Sequence, residues 1–198
     1  MTDTLLPFLI FAAVASATPG PNNIMLMSTA AVSGMRATVP LILGVSLGFG
    51  LMVLIVGTGL AVPVSRSTLL QTAMRWAGVA WLLVLAWKIA HAPPLAPGPR
   101  APARIGFWGA FAVQWVNPKA WIMALATAAT YTAAGIAPIR QVQVLAALFV
   151  LIGLPTLTFW ALIGAGAGRR LTTPGRQRVF NRIMGALLAV SVIPTLLD

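Results

Sequence analysis

Apolar residues run along this chain in long blocks separated by short clusters of charge. No charged residue lies between Asp3 and Arg36, between Arg36 and Arg66, or between Arg140 and Arg169. Each gap exceeds the roughly 20 residues that carry a helix across a bilayer. Six spans follow from the pattern: 5–29, 37–62, 69–90, 107–131, 141–165 and 179–197. The third holds Arg75 early in its length, a position from which a long side chain snorkels to the interface. After it comes "HAPPLAPGPRAPAR" (91–104), rich in proline and without an apolar period, which reads as a hydrated linker.

The predicted fold is an all-α polytopic membrane protein of six transmembrane helices arranged as two inverted three-helix repeats. Residues 1–90 form the first repeat, 91–106 a cytoplasmic Pro-rich linker, and 107–198 the second repeat. An odd number of spans per half inverts one half relative to the other, a common plan among secondary transporters. A short echo agrees with it: "RWAG" (75–78) opens the third span and "RIMG" (182–185) the sixth.

Composition and charge refine this picture. Hydrophobic residues make up 59% of the chain and charged residues 8%, with a mean hydropathy of +0.93; soluble domains carry about a quarter charged residues. A net charge of +11 would suggest nucleic acid in a soluble protein. Here the basic residues sit between apolar runs, so topology accounts for them and no nucleic-acid partner is expected. The odd connections hold Arg36, Lys88, Arg100, Arg104, Arg169, Arg170, Arg176, Arg178 and Arg182, against Arg66, Arg75 and Arg140 on the even ones. The positive-inside bias then places the odd connections in the cytoplasm and both termini outside, with the only two acids, Asp3 and Asp198. With no cysteine, disulfides, thiolate metal sites and dithiol redox chemistry are excluded, and no metal or cofactor is expected. Ala15-Ser16-Ala17 resembles a signal-peptide cleavage site, but Met1-Thr2-Asp3-Thr4 carries an acid and no base. The segment is expected to be a retained first span.

Two spans are interrupted. In "SATPGPNNIMLMSTA" (16–30) Pro19 and Pro21 each remove a backbone donor and Gly20 frees the dihedrals. The helix is expected to open between Thr18 and Pro21 and to restart with Asn22 or Asn23 capping it or presenting amides. An open backbone persists in a membrane only inside protein or beside a polar cavity. A half-helix N-terminus at that depth favours a carboxylate; the alternative is a plain proline kink. The fourth span carries "QWVNPKAW" (114–121), with Lys119 about 12 residues into it, or roughly 18 Å along a helix. An ionisable group at that depth marks a functional site, unless the span begins later and Lys119 lies near an interface. Gln114 and Asn117 would supply neutral hydrogen bonds and Pro118 would loosen the ladder. Together the breaks suit a zwitterionic amino acid. Trp115 and Trp121 flank the second break and are candidates for the substrate path. The small-residue stretch from Gly44 through Gly48 to Gly50 serves close helix packing, within the monomer or against a second copy in a homo-oligomer.

At these residues, "TPGPNNIML", "GMRATVPLILGVSLGF", "AWKIA" and "FWGAFAVQWVNPKAW", the chain resembles the lysine exporter (LysE/RhtB) family of amino-acid exporters, most closely its cysteine/O-acetylserine branch. The resemblance implies a cytoplasmic-membrane exporter of small amino acids or derivatives driven by the proton motive force. It carries the motif roles onto Pro19, Gly20, Pro21, Asn22 and Asn23, and onto Asn117, Pro118 and Lys119. The expected partners are a small amino acid, protons as coupling ion and membrane lipid. Lys119 is then the obvious titratable group at depth, expected to hold its proton with substrate and release it when empty. The competing readings are a non-transporting membrane subunit and a passive facilitator. Enzyme chemistry is not expected, because no predicted span holds a His or an acid to activate a serine.

Overall fold

In the computed structural model, residues 2–60, 66–92, 105–131 and 138–193 are described, and their regular structure is helical throughout. The elements are α1 (Thr2–Ala17), α2 (Pro21–Ser33), α3 (Met35–Ile55) with a π-helical turn (Val56–Leu60), α4 (Thr68–Ala90), α5 (Phe107–Val113) with a 3-10 turn (Gln114–Val116), α6 (Pro118–Tyr131), α7 (Pro138–Gly168) and α8 (Pro174–Val190). Most of the linker, residues 93–104 with Arg100 and Arg104, lies outside the described residues, as does Asp198.

Of the six expected spans, three are present as single long helices and a fourth as a bent pair. Within Met35–Gly59, Gln71–Ala90 and Ile139–Gly168 the helices are long and apolar enough to cross a membrane unaided. The first span is instead a bent pair, α1 and α2 meeting at 50°. The fourth is divided into α5, a 3-10 turn and α6, and α8 has only 17 residues, so neither is a sufficient span on its own. The start of α8 is polar, with Thr173 capping the Arg176 N–H and Arg178 and Arg182 following. Pro155 is accommodated inside α7 without a break.

The core forms where α3 and α7 pack on one another, with α2 and α1 along α7, α5 on α3, and α4 against α8. Close approach depends on glycine. A Cβ on Gly44 would meet the Phe107 carbonyl, and one on Gly48 the Phe111 backbone, so the small face of α3 serves α5 within the monomer. Gly164 and Gly168, one turn apart on α7, abut the backbones of Met27 and Ala31 on α2. The one-residue connection between α2 and α3 needs Gly34 at φ 83°, the left-handed region that glycine adopts without strain.

Two apolar clusters result. One joins Ile24, Leu41, Leu82 and Leu188; the other surrounds Phe149, which meets Phe8 and Phe49 edge-on at centroid distances of 5.1 and 5.0 Å. The outer faces are also apolar, with Leu6, Ile10 and Val14 on α1 and Leu151, Phe159 and Leu162 on α7 exposed. Such a surface belongs in lipid. The molecule is an all-α polytopic membrane protein.

Candidate functional site

The first break is built by its own residues. Thr18 turns its N–H and its hydroxyl back to the Val14 carbonyl, at 2.9 and 2.7 Å, and closes α1. Pro19 and Pro21 have no N–H, so opening the helix here strands two fewer donors than it would without prolines. Pro21 takes the first position of α2, and Gly20, in extended backbone, precedes it without a side-chain cap. The asparagines therefore do not cap the helix as expected; both lie inside its first turn. Asn23 reaches back, its Nδ2 donating to the carbonyls of Thr18 (3.0 Å) and Ser16 (3.3 Å).

The second break follows similar rules. A residue before proline is pushed into extended backbone, and Asn117 has φ −87° and ψ 109°. Its Oδ1 accepts the Lys119 N–H at 3.1 Å, which caps α6 just ahead of Pro118. Trp121 Nε1 donates to the Trp115 carbonyl at 2.9 Å across the break. These two tryptophans pack into the Phe149 cluster and do not line the cavity, contrary to the expectation for them.

The two breaks meet. Lys119 Nζ donates to the Thr18 carbonyl at 2.7 Å, and its side chain crosses Gly20, where an added Cβ would stand 3.1 Å from Cδ and 3.2 Å from Nζ. Asn22 and Gln114 pair through both amides, Nδ2 to Oε1 at 2.9 Å and Nε2 to Oδ1 at 3.2 Å. Gln114, fully buried, also donates to the Ala110 carbonyl at 3.0 Å. Beside them is a cavity of about 60 Å³, room for a few water molecules. Its wall takes Gly20, Pro21, Asn22, Asn23, Asn117 and Lys119 from the breaks. Of the other nominated residues, Thr18 contributes the carbonyl that holds Lys119, Gln114 locks Asn22, and Pro19 and Pro118 shape the breaks without lining the cavity.

Sequence reasoning missed Ser46 on α3 and Gly153, midway along α7, which complete the wall with Phe49 and Phe149. Ser46 could be read only as one small residue in a packing face, because nothing local to it reports a cavity.

The electrostatics favour an anion. The α2 and α6 N-termini each carry a partial positive charge, and the Lys119 ammonium joins them. A lysine in the first turn sits at the unfavourable end of its own helix dipole, so helix stability does not explain it. The only acids, Asp3 and Asp198, are near the chain ends. Among the described residues no group of three or more His, Cys, Asp or Glu gathers to hold a metal.

A larger cavity, about 680 Å³, lies between α2, α4 and the start of α5, with Ser28, Thr29, Lys88, His91 and Asn181 among its polar residues. His91 stacks on Trp87 at 3.7 Å between ring centroids. On α2 this vestibule reaches Met25, one turn beyond Asn22; on α5 it reaches Gly109, just over one turn before Gln114. Along both helices the Asn22–Gln114 pair thus lies a little over one turn or less from the nearest vestibule residues.

The cysteine/O-acetylserine efflux proteins of Salmonella typhimurium, Escherichia coli and Shigella sonnei are each 33% identical to this chain over 195 residues, 98% of both sequences. No solved structure gives a significant match. The LysE type translocator model matches residues 13–193, a stretch that includes both breaks, Lys119 and the vestibule, and the chain belongs to this family of membrane translocators.

Proposed function

We propose that this protein is a secondary transporter that exports small amino acids or their derivatives, cysteine and O-acetylserine foremost, across the bacterial cytoplasmic membrane. The observation that carries the reading is the bond from Lys119 Nζ to the Thr18 carbonyl at the meeting of two helix starts. A substrate carboxylate replaces Thr18 on the ammonium, and the substrate's own ammonium replaces Lys119 on the carbonyl. A zwitterion thus fits between a cation and an acceptor that are otherwise bonded to each other, and among the described residues no acid lines the cavity. The efflux proteins to which the chain is similar support cysteine and O-acetylserine as the first substrates to test.

The vestibule supports the direction. Ser33, Lys88 and His91 line it, at the end of the bundle where the basic connections gather, the cytoplasmic end by the positive-inside bias. Substrate then enters from the cytoplasm and passes the Asn22–Gln114 pair to reach the inner cavity. We read the two halves as inverted repeats, each opening with a broken span whose second helix starts with proline. Proton coupling runs through Lys119, the titratable group on the cavity wall.

The test is efflux of radiolabelled cysteine, O-acetylserine, threonine, homoserine and leucine from inside-loaded cells, with and without a protonophore. Uphill efflux of cysteine or O-acetylserine that the protonophore abolishes, and that Lys119→Ala and Asn22→Ala lose, is the expected result. Flux that only follows the substrate gradient would make the protein a facilitator. Lys119→Met protein that kept full proton-coupled export would overturn the role of Lys119.

A further inference from the structure

Ser46 carries a hydroxyl that nothing among the described residues satisfies. Among the described residues only Ser46 Oγ and Arg75 Nε are buried side-chain polar atoms without a hydrogen-bond partner, and of the two only Ser46 lines the inner cavity. Helical serines and threonines commonly return their hydroxyl to the carbonyl one turn back. Thr38, Thr127, Thr156 and Thr158 do so here at 2.7 to 2.9 Å. Ser46, with 3% of its surface exposed, does not. A buried polar atom left unpaired in a native fold calls for a partner from outside it.

Its surroundings indicate which part of a ligand that partner is. Ser46 faces Gly153 across the α3–α7 contact, where an added Cβ would stand 3.8 Å from Oγ. Glycine thus leaves a notch about one methyl group deep. The wall around it on α3 and α7 is apolar: Val45, Phe49, Phe149 and Leu157. The charged end, with Lys119 and the Thr18 carbonyl, comes from other elements. The cavity therefore has a polar side at the breaks, where Ser16, Asn22, Asn23, Asn117 and Lys119 lie, and an apolar side on α3 and α7 whose hydroxyl is that of Ser46.

The geometry points to Ser46 as the residue that selects the substrate's side chain. Resting on the zwitterion reading above, the Ser46 hydroxyl bonds the one polar atom of a small side chain (a thiol, a hydroxyl or an ester oxygen) seated in the Gly153 notch. An analogue with a methyl group in that place leaves the hydroxyl unpaired and is disfavoured about tenfold, the worth of one such bond.

The full-length protein in proteoliposomes tests this with two near-isosteric pairs, reduced cysteine against 2-aminobutyrate and threonine against valine. Wild type is expected to move the polar member of at least one pair about tenfold more efficiently. Ser46→Ala removes that preference by slowing the polar member, keeps efflux of the apolar one, and does not lower the melting temperature, because it removes an unpaired group. Ser46→Thr keeps the preference. Gly153→Ala meets no backbone and fills the notch, so it lowers efflux of bulkier O-acetylserine more than that of cysteine. A wild type without preference, or an unchanged preference in Ser46→Ala, overturns the role of Ser46 and leaves the exporter reading standing. A wild type that moves none of these substrates overturns both.

Discussion

At the scale of single residues, the site depends on who satisfies whom. Gly20 is small because Lys119 crosses it, and its extended backbone would accept any residue. Gly20→Ala should therefore leave the melting temperature nearly unchanged while displacing the ammonium, with export reduced about tenfold or more if the bond to Thr18 templates the substrate; a melting curve beside an efflux assay separates the two effects. Asn22 and Gln114 make a second test. Asn22→Leu leaves the buried Gln114 amide with only its bond to the Ala110 carbonyl, and Gln114→Leu leaves the half-buried Asn22 amide without its partner, each at a cost of about 1 kcal/mol. The double variant should lose less than the sum, since residues in one hydrogen-bond network are not additive. The residue types were legible: prolines, a glycine and a lysine in apolar surroundings announce a break and a charge at depth. Their partners were not, because Asn22 and Gln114 are 92 positions apart and amides bond equally well to many groups.

At the scale of elements, helix length and glycine spacing decide what can pack. Gly164 and Gly168 bring α7 against α2 and hold the half-helix that opens on the cavity. Gly164→Val drives a side chain into the Met27 backbone and should destabilise by about 1–3 kcal/mol or more. Gly166→Val, where no atom lies within 4 Å of an added Cβ, should be nearly neutral; melting temperatures of the two purified variants check the contrast. The alternating glycines from Gly164 to Gly168 are plain in the sequence. Which of them touches α2 was not readable there, since contact depends on the rotation of one helix against another. The long apolar runs of α3 and α7 were readable, because burial in lipid demands them whatever their neighbours.

At the scale of the whole molecule, charge asymmetry predicts orientation. The natural chain has no cysteine, so single cysteines report sidedness without a background. Thr172→Cys, between α7 and α8, should react with a membrane-impermeant maleimide only in inverted vesicles. Arg66→Cys, just before α4, should react in intact spheroplasts. The reverse labelling would place the vestibule at the outer face and remove the argument for cytoplasmic uptake.

The amino-acid sequence by itself determined that this is a helical membrane protein, where two of its spans break and which lysine stands beside the second break. These properties are local, or depend only on the solvent around each segment: proline lacks a donor, and apolar runs partition into lipid. The tertiary structure alone decided that the two breaks face each other, that Lys119 rests on Thr18, that the asparagines are engaged rather than free, and that Ser46 has no partner among the described residues. Each of these depends on distances between residues far apart in the chain, set by glycine-mediated helix contacts that no local pattern encodes.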